Sequence, residues 1–137
     1  GGGVENVLDG MDIHDMDLEI AMPVQTLEDV TYQSGLWRNF DPELCKRQLM
    51  HMAAICKETY PALRLHLYDG TKAFSAPFTV FGKIRVAIYV GEAYLVITSK
   101  EQITTFVQRF DALVRQSIVS PNQVHLHLDK LASKIKI

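Results

Sequence analysis

The strongest constraint on the fold lies in residues 75–131, where two β-rich runs precede two amphipathic segments. The runs at 84–90 and 94–98 are rich in branched and aromatic residues, and a short break containing Gly91 separates them. Such residues favour strands, and a short glycine-containing break between two runs favours a hairpin. We therefore expect two antiparallel strands here, preceded by a third extended segment at Phe78–Phe81.

Two helices are expected after the hairpin. Ser99 followed by Gln102, and Ser120 followed by Gln123, each match the capping box of a helix N-terminus. Pro121 occupies the first helical position of the second segment, where a missing N–H costs little. Apolar residues then recur at helical spacing in both segments. The pattern predicts a C-terminal helical hairpin.

Another helix is well specified in the middle of the chain. Asp41 is a favourable N-cap residue and Pro42 follows it at the first helical position. An apolar stripe runs along this helix and includes Cys45 and Cys56. Eleven residues of helix place these cysteines roughly 16 Å apart, too far for a disulfide. We expect two reduced, buried thiols.

Alternating residues predict further strands. Met16 to Met22 alternate apolar and other side chains up to Pro23, and Leu63, Leu65 and Leu67 alternate with polar or aromatic neighbours. A short helix is expected at 26–32, capped by Thr26. The fold class is therefore predicted to be α+β, with a small antiparallel sheet of three to five strands covered by amphipathic helices.

Charge is unevenly distributed along the chain. Residues 1–37 contain eight acidic side chains and no Lys or Arg, whereas the rest contains fourteen basic and eight acidic ones. We interpret residues 1–3 as a cleavage scar or flexible linker, 4–37 as an acidic arm or interdomain linker, and 38–137 as a single α+β effector domain. The arm would either dock on a basic face or remain solvated.

Length and composition are those of a globular domain. The chain has 137 residues, of which 47% are hydrophobic and 22% charged, enough to bury a core without disulfides. No apolar run approaches the roughly 18–20 residues that span a bilayer, and the start does not resemble a signal peptide. We expect a soluble, cytoplasmic protein without membrane contact.

The residues predict neither catalysis nor a cofactor. His66, Asp69 and Ser75 supply the residue types of an acid–base–nucleophile set, but no motif surrounds them. His125 and His127 are two residues apart on a predicted helix, so their side chains point in different directions and cannot share a metal ion. We expect no catalytic residue, no metal site and no enzyme.

A family resemblance rests on five short motifs. They are Ser75-Ala76-Pro77-Phe78-Thr79, Ile88-Tyr89-Val90, Tyr94-Leu95-Val96, Phe110-Asp111-x-Leu113 and Ser120-Pro121. Their order resembles the C-terminal, non-DNA-binding domain of bacterial helix-turn-helix regulators of the Xre, or lambda-repressor-like, class. The resemblance implies a homodimerising or signal-sensing domain that contacts DNA only through a separate N-terminal domain.

Aromatic residues near the predicted sheet are the candidate ligand-binding residues: Trp37, Tyr68, Phe78, Phe81, Tyr89 and Tyr94. The same rings could instead be core residues or cross-strand pairs. Two further functions remain open. One is a protein-interaction module or antitoxin-like domain whose acidic arm covers a basic partner. The other is a small-molecule sensor of the PAS or GAF kind.

Overall fold

The structure is a computed structural model that describes residues 16–73, 75–82, 84–90 and 93–137. The expectations for residues 1–3 and for the first part of the arm, 4–15, lie outside the described residues. The elements in chain order are β1 (Leu18–Pro23), α1 (Val24–Tyr32), a 3₁₀ turn (Gly35–Trp37), α2 (Pro42–Thr59), β2 (Leu63–Tyr68), β3 (Phe78–Phe81), β4 (Arg85–Val90), β5 (Ala93–Ile97), α3 (Lys100–Arg115), β6 (Ser117–Val119) and α4 (Val124–Ser133).

The strands form one six-stranded sheet in the order β5-β4-β3-β1-β2-β6. β1 pairs in parallel with β2 and antiparallel with β3, and the remaining neighbours are antiparallel. The α+β class and the helix-covered sheet are confirmed. The strand number and the single parallel pair correct the expected antiparallel sheet of three to five strands. β6 has only three residues, too few for an alternating pattern to be visible in the sequence.

One face of the sheet is covered by α1, α2 and α4. Their buried residues include Leu27, Leu49 and Leu128, which join Leu65 and Leu67 of β2 in one apolar core. Leu49 and Leu128 are fully buried. The apolar stripes of these helices are therefore explained by burial against the sheet.

Among the described elements, α3 is the one helix that covers the opposite face. Phe110 of α3 packs edge-on against Phe78 of β3, with ring centroids 5.2 Å apart, and Phe106 lies 6.2 Å from the same ring. Val86 and Ile103 complete this second core. The molecule thus has three layers, with helices on both faces of the sheet.

The C-terminal helices do not form the expected hairpin. β6 lies between them, and α3 and α4 pack against opposite faces of the sheet. The second capping box is also corrected, because α4 begins at Val124 with Gln123 as its N-cap. The Ser120 hydroxyl instead donates to Asn122 Oδ1 at 2.9 Å within the preceding turn. Capping patterns are local, so they do not reveal the short strand β6 between the two helices.

The boundary expected between residues 37 and 38 does not separate two structural units. β1 lies in the middle of the sheet, and Asp17 and Glu19 form ion pairs with Arg64 beside it. The described part of the acidic segment is therefore folded into the domain. Two of its carboxylates, Asp17 and Glu19, are held by ion pairs within the domain.

The expectations for α2 are confirmed. Asp41 Oδ1 accepts a hydrogen bond from the Glu43 N–H at 3.0 Å, and Pro42 begins the helix. Cys45 and Cys56 are both free and buried. Burial raises the pKa of the Cys56 thiol to about 11, so this thiol is protonated at neutral pH.

None of the described helices is both long enough and apolar enough to cross a membrane.

Candidate functional site

A cleft opens beyond the carboxyl ends of the parallel strands β1 and β2. β1 ends at Pro23, where α1 begins, and β2 ends at Tyr68, followed by the loop that leads to β3. The cleft has a volume of about 330 Å³ and is lined by residues of α1 and of that loop. Ligands of open sheets with parallel strands bind at this end of the strands. The cleft is therefore the candidate functional site.

The side chain of Gln25 joins the two walls of the cleft. Its Nε2 donates to Asp69 Oδ1 at 3.0 Å, and its Oε1 accepts from the Gly70 N–H at 2.9 Å. Gln25 lies in the first turn of α1, whereas Asp69 and Gly70 follow β2. Both ends of one amide group thus tie the start of α1 to the β2–β3 loop.

Gly70 is required for this close approach. A Cβ atom at position 70 would lie 3.0 Å from Gln25 Oε1 and 3.0 Å from the Cβ atom of Pro23. Both separations are shorter than ordinary van der Waals contact. A larger residue would force the Gln25 amide away from the loop.

Asp69 is a half-buried carboxylate held by its neighbours. Hydrogen bonds from the Thr71 hydroxyl and the Thr71 N–H to Oδ1, at 2.6 and 2.9 Å, lower its pKa, and the Gln25 amide adds to this effect. Each of these donors favours the charged form. Asp69 therefore presents a negative charge at the cleft at neutral pH.

The remaining polar groups of the lining are hydroxyls and a second carboxylate. Thr26, Thr71 and Ser75 line the cleft together with Asp29, which accepts a hydrogen bond from the Ser34 hydroxyl at 2.9 Å. α1 begins at Val24 with Pro23 as N-cap, so Thr26 lies within the helix and is not its expected cap. Carboxylates and hydroxyls in one cleft suit a small polar molecule that bears amino or hydroxyl groups.

The sequence-predicted aromatic residues do not form one site. Tyr68 and Phe78 are buried on the α3 side of the sheet, and the Tyr68 hydroxyl donates to the Ser75 carbonyl at 3.0 Å. Phe78 also borders a second cleft of about 180 Å³. Trp37 packs against the core of the other face, with its ring 5.0 Å from that of Phe40.

Phe81, Tyr89 and Tyr94 lie on the sheet face opposite α3, but Phe81 pairs with Arg85, at the other end of β4 from Tyr89. Directly paired residues share a face, and Tyr89 pairs with Tyr94 at a ring distance of 6.2 Å. All three side chains are half-buried. The structure thus places two of the six predicted residues, Tyr89 and Tyr94, side by side, away from the cleft.

His66, Asp69 and Ser75, the possible acid–base–nucleophile set, are not linked by hydrogen bonds to one another. His66 bonds to Glu19, Asp69 bonds to Gln25 and Thr71, and the Ser75 hydroxyl donates to the Ala76 carbonyl. These partners hold the three side chains in different local networks.

A polar cluster that sequence reasoning missed lies on the α3 face. Glu19 of β1 accepts from Arg64 and bonds to His66, both on β2, with each N–O distance at 2.8 Å. The His66 ring meets Phe110 edge-on at 5.8 Å. The available clue was the pair of alternating polar positions in each strand, but the parallel pairing that joins them is not visible in the sequence.

Within the described part of the chain, no group of three or more His, Cys, Asp or Glu side chains is arranged to hold a metal ion. Comparison with known proteins gave no match: no family model, no curated protein and no solved structure is significantly similar to the chain.

Proposed function

We propose that this chain is the regulatory domain of a bacterial Xre-type transcription regulator and that it senses a small polar molecule in the cleft between α1 and the β2–β3 loop. The observation that carries the proposal is the pair of hydrogen bonds at the Gln25 amide, which donates to Asp69 Oδ1 and accepts from the Gly70 N–H. The resemblance to the regulator domains supports it, because Ser75 of the resembling motif lines the same cleft.

The position of Gln25 offers a route from ligand to structure. A ligand with an amino or hydroxyl group can compete with the Gln25 amide for the Asp69 carboxylate. Leu27 and Val30, in the same helix, are buried in the core shared with α2 and α4. Because packed cores transmit displacement, movement at the start of α1 would shift the helices α2 and α4 that share its core.

The rest of the proposal follows from this role. The domain acts without catalysis, as a homodimer in the cytoplasm, and reaches DNA only through a separate helix-turn-helix domain. The effector is a small molecule. The cleft is open to solvent, unlike the enclosed pocket expected of a PAS- or GAF-type sensor, so that alternative gains no support from it.

A ligand panel tests the proposal. Free amino acids, polyamines and monosaccharides are screened for a rise in melting temperature, and calorimetry then measures the affinity of each compound that gives one. We expect Asp69→Asn to weaken binding at least about tenfold, because it removes the carboxylate that the ligand would contact. Gln25→Ala should strengthen binding, because it removes the amide that competes for this carboxylate. The matched control is Asp111→Asn, an exposed carboxyl on α3. Binding that neither cleft substitution alters would contradict the site.

A protein-interaction module is the second candidate function. The observation that favours it is the half-buried pair of Tyr89 and Tyr94, because aromatic residues are enriched at protein interfaces. In that case Tyr94→Ser would abolish retention of a partner protein in a pull-down, while Asp69→Asn would not.

A further inference from the structure

The outer edge of β5 is open. β5 is the last strand on its side of the sheet, and no described strand pairs with its outer edge. Its sequence, Ala-Tyr-Leu-Val-Ile, contains no charge and no proline, and the exposed fractions of Leu95 and Val96 are 60% and 45%. Soluble proteins protect free edges with charged residues, proline or bulges. An unprotected edge of this kind is suited to pairing with another strand.

The backbone groups at this edge can be identified from the neighbouring strands. The Tyr89 N–H donates to the Pro77 carbonyl at 3.0 Å, so Tyr89 directs its backbone groups towards β3. Direction alternates along a strand, and Ile88 therefore faces β5, where it pairs with Leu95. It follows that Tyr94 and Val96 direct their N–H and C=O groups outwards.

We propose that β5 pairs antiparallel with β5 of a second copy of this chain, about a two-fold axis centred on Leu95. This register places Tyr94 opposite Val96 of the partner subunit, and the two residues exchange both backbone hydrogen bonds. The two sheets then become continuous, with α3 of each copy on the same side. The inference deepens the dimerising part of the proposed function and is independent of the cleft.

The chemistry of the edge favours a second copy over a different chain. A neutral strand meets itself without opposing like charges, and the register sets an aromatic ring beside a β-branched side chain, a favourable cross-strand pair. The two Leu95 side chains meet in the closer, non-hydrogen-bonded position. The other edge strand, β6, offers only three residues, so β5 is the better edge for self-pairing.

The small area that β5 pairing would bury indicates a weak dimer. A single short strand buries less than the ~800 Å² per partner of a standard stable interface. The dimer is therefore reversible and dissociates on dilution.

Disulfide trapping tests the register. Opposed residues in a non-hydrogen-bonded antiparallel pair have Cα atoms about 4.5 Å apart, within the range that a disulfide spans. Under mild oxidation Leu95→Cys gives a covalent dimer. Val96→Cys does not, because Val96 lies opposite Tyr94 of the partner subunit. The unsubstituted chain is the control for cross-linking through the native cysteines Cys45 and Cys56, which are buried. Absence of the Leu95→Cys dimer, or equal trapping by Val96→Cys, would overturn the proposal.

Sedimentation across a concentration series tests the surface without a cross-link. The unsubstituted chain shows a mass that rises with concentration, whereas Leu95→Lys remains monomeric because it opposes two like charges. Ile118→Lys on β6 is the matched control, since Ile118 is 59% exposed, and it dimerises normally. Circular dichroism verifies the fold of each variant. The proposed interface would be refuted if the unsubstituted chain stayed monomeric, or if Leu95→Lys and Ile118→Lys weakened dimerisation equally. Leu95→Lys still binds ligand in the cleft, so failure of the dimer proposal can be distinguished from failure of the ligand-binding proposal.

Discussion

His66 Nε2 lies 2.8 Å from Glu19 Oε2, and this contact joins β2 to β1 on the face covered by α3. The hydrogen bond with His66 lowers the pKa of Glu19 to about 2, burial opposes the shift, and Arg64 adds to it. The carboxylate is therefore stabilised in its charged form at the centre of the sheet. Glu19 links the stability of the parallel strand pair to pH.

The first prediction is a loss of stability in acid that depends on Glu19. Its pKa is lowered from 4.5 to about 2, so its contribution is complete above the unfolded value and is lost as pH falls through the folded value. At ~1.4 kcal/mol per pKa unit, that contribution is on the order of 3–4 kcal/mol. Denaturant unfolding of the wild type and Glu19→Gln should differ by about this much near pH 6 and converge near pH 2.

Glu58→Gln is the control for this experiment, because Glu58 is an exposed residue of α2. Its free energy of unfolding should follow that of the wild type at each pH. A constant gap between the wild type and Glu19→Gln across the whole range would show that Glu19 contributes nothing through its charge.

The second prediction concerns the core beneath α1, α2 and α4. Leu49→Ala removes a fully buried side chain, and we expect the free energy of unfolding to fall by about 2–5 kcal/mol. Leu44→Ala, in the same helix, changes a side chain that is 54% exposed and should cost far less. Chemical denaturation of both variants measures the difference, and equal losses would mean that α2 does not present Leu49 to the sheet.

The third prediction concerns the tight approach at Gly70. Gly70→Ala places a Cβ atom 3.0 Å from both Gln25 Oε1 and Pro23 Cβ, so we expect a loss on the order of 1–2 kcal/mol. In a Gln25→Ala background part of this clash is absent, and the loss should be smaller. Additive effects in the double-mutant cycle would show that the Gln25 amide does not contact the loop in solution.

The fourth prediction concerns removal of the acidic segment, which contains β1. A chain reduced to residues 38–137, which begins where the acidic segment ends, lacks β1 and exposes the facing edges of β2 and β3. We expect the full chain to show cooperative thermal unfolding and a native near-ultraviolet circular dichroism spectrum, and the shortened chain to lose both. A cooperative transition in the shortened chain would contradict the central position of β1.

Local patterns in the sequence predicted the elements whose determinants are local. Asp41 and Pro42 indicated the start of α2, and the alternation around Leu65 indicated β2. Each pattern depends on residues that are close in sequence, where capping and periodicity act directly. The assignment of these elements to layers was not available, because packing against one face or the other depends on distant residues.

The candidate site depends on contacts between distant residues. Gln25 and Asp69 are 44 residues apart, and no local pattern joins them. β1 was identified as a strand, but its acidic surroundings suggested an arm, because the Arg64 that balances Glu19 lies on another strand. The aromatic residues were chosen by type, and their division between two faces follows from strand register.

A reporter fusion tests the proposed role of the chain as the regulator of a DNA-binding domain. The chain is joined to a helix-turn-helix domain that represses a reporter gene only as a dimer. We expect repression well above that of the unfused domain at equal protein levels, with a response to cleft ligands that Asp69→Asn removes. Repression no greater than that of the unfused domain would contradict it.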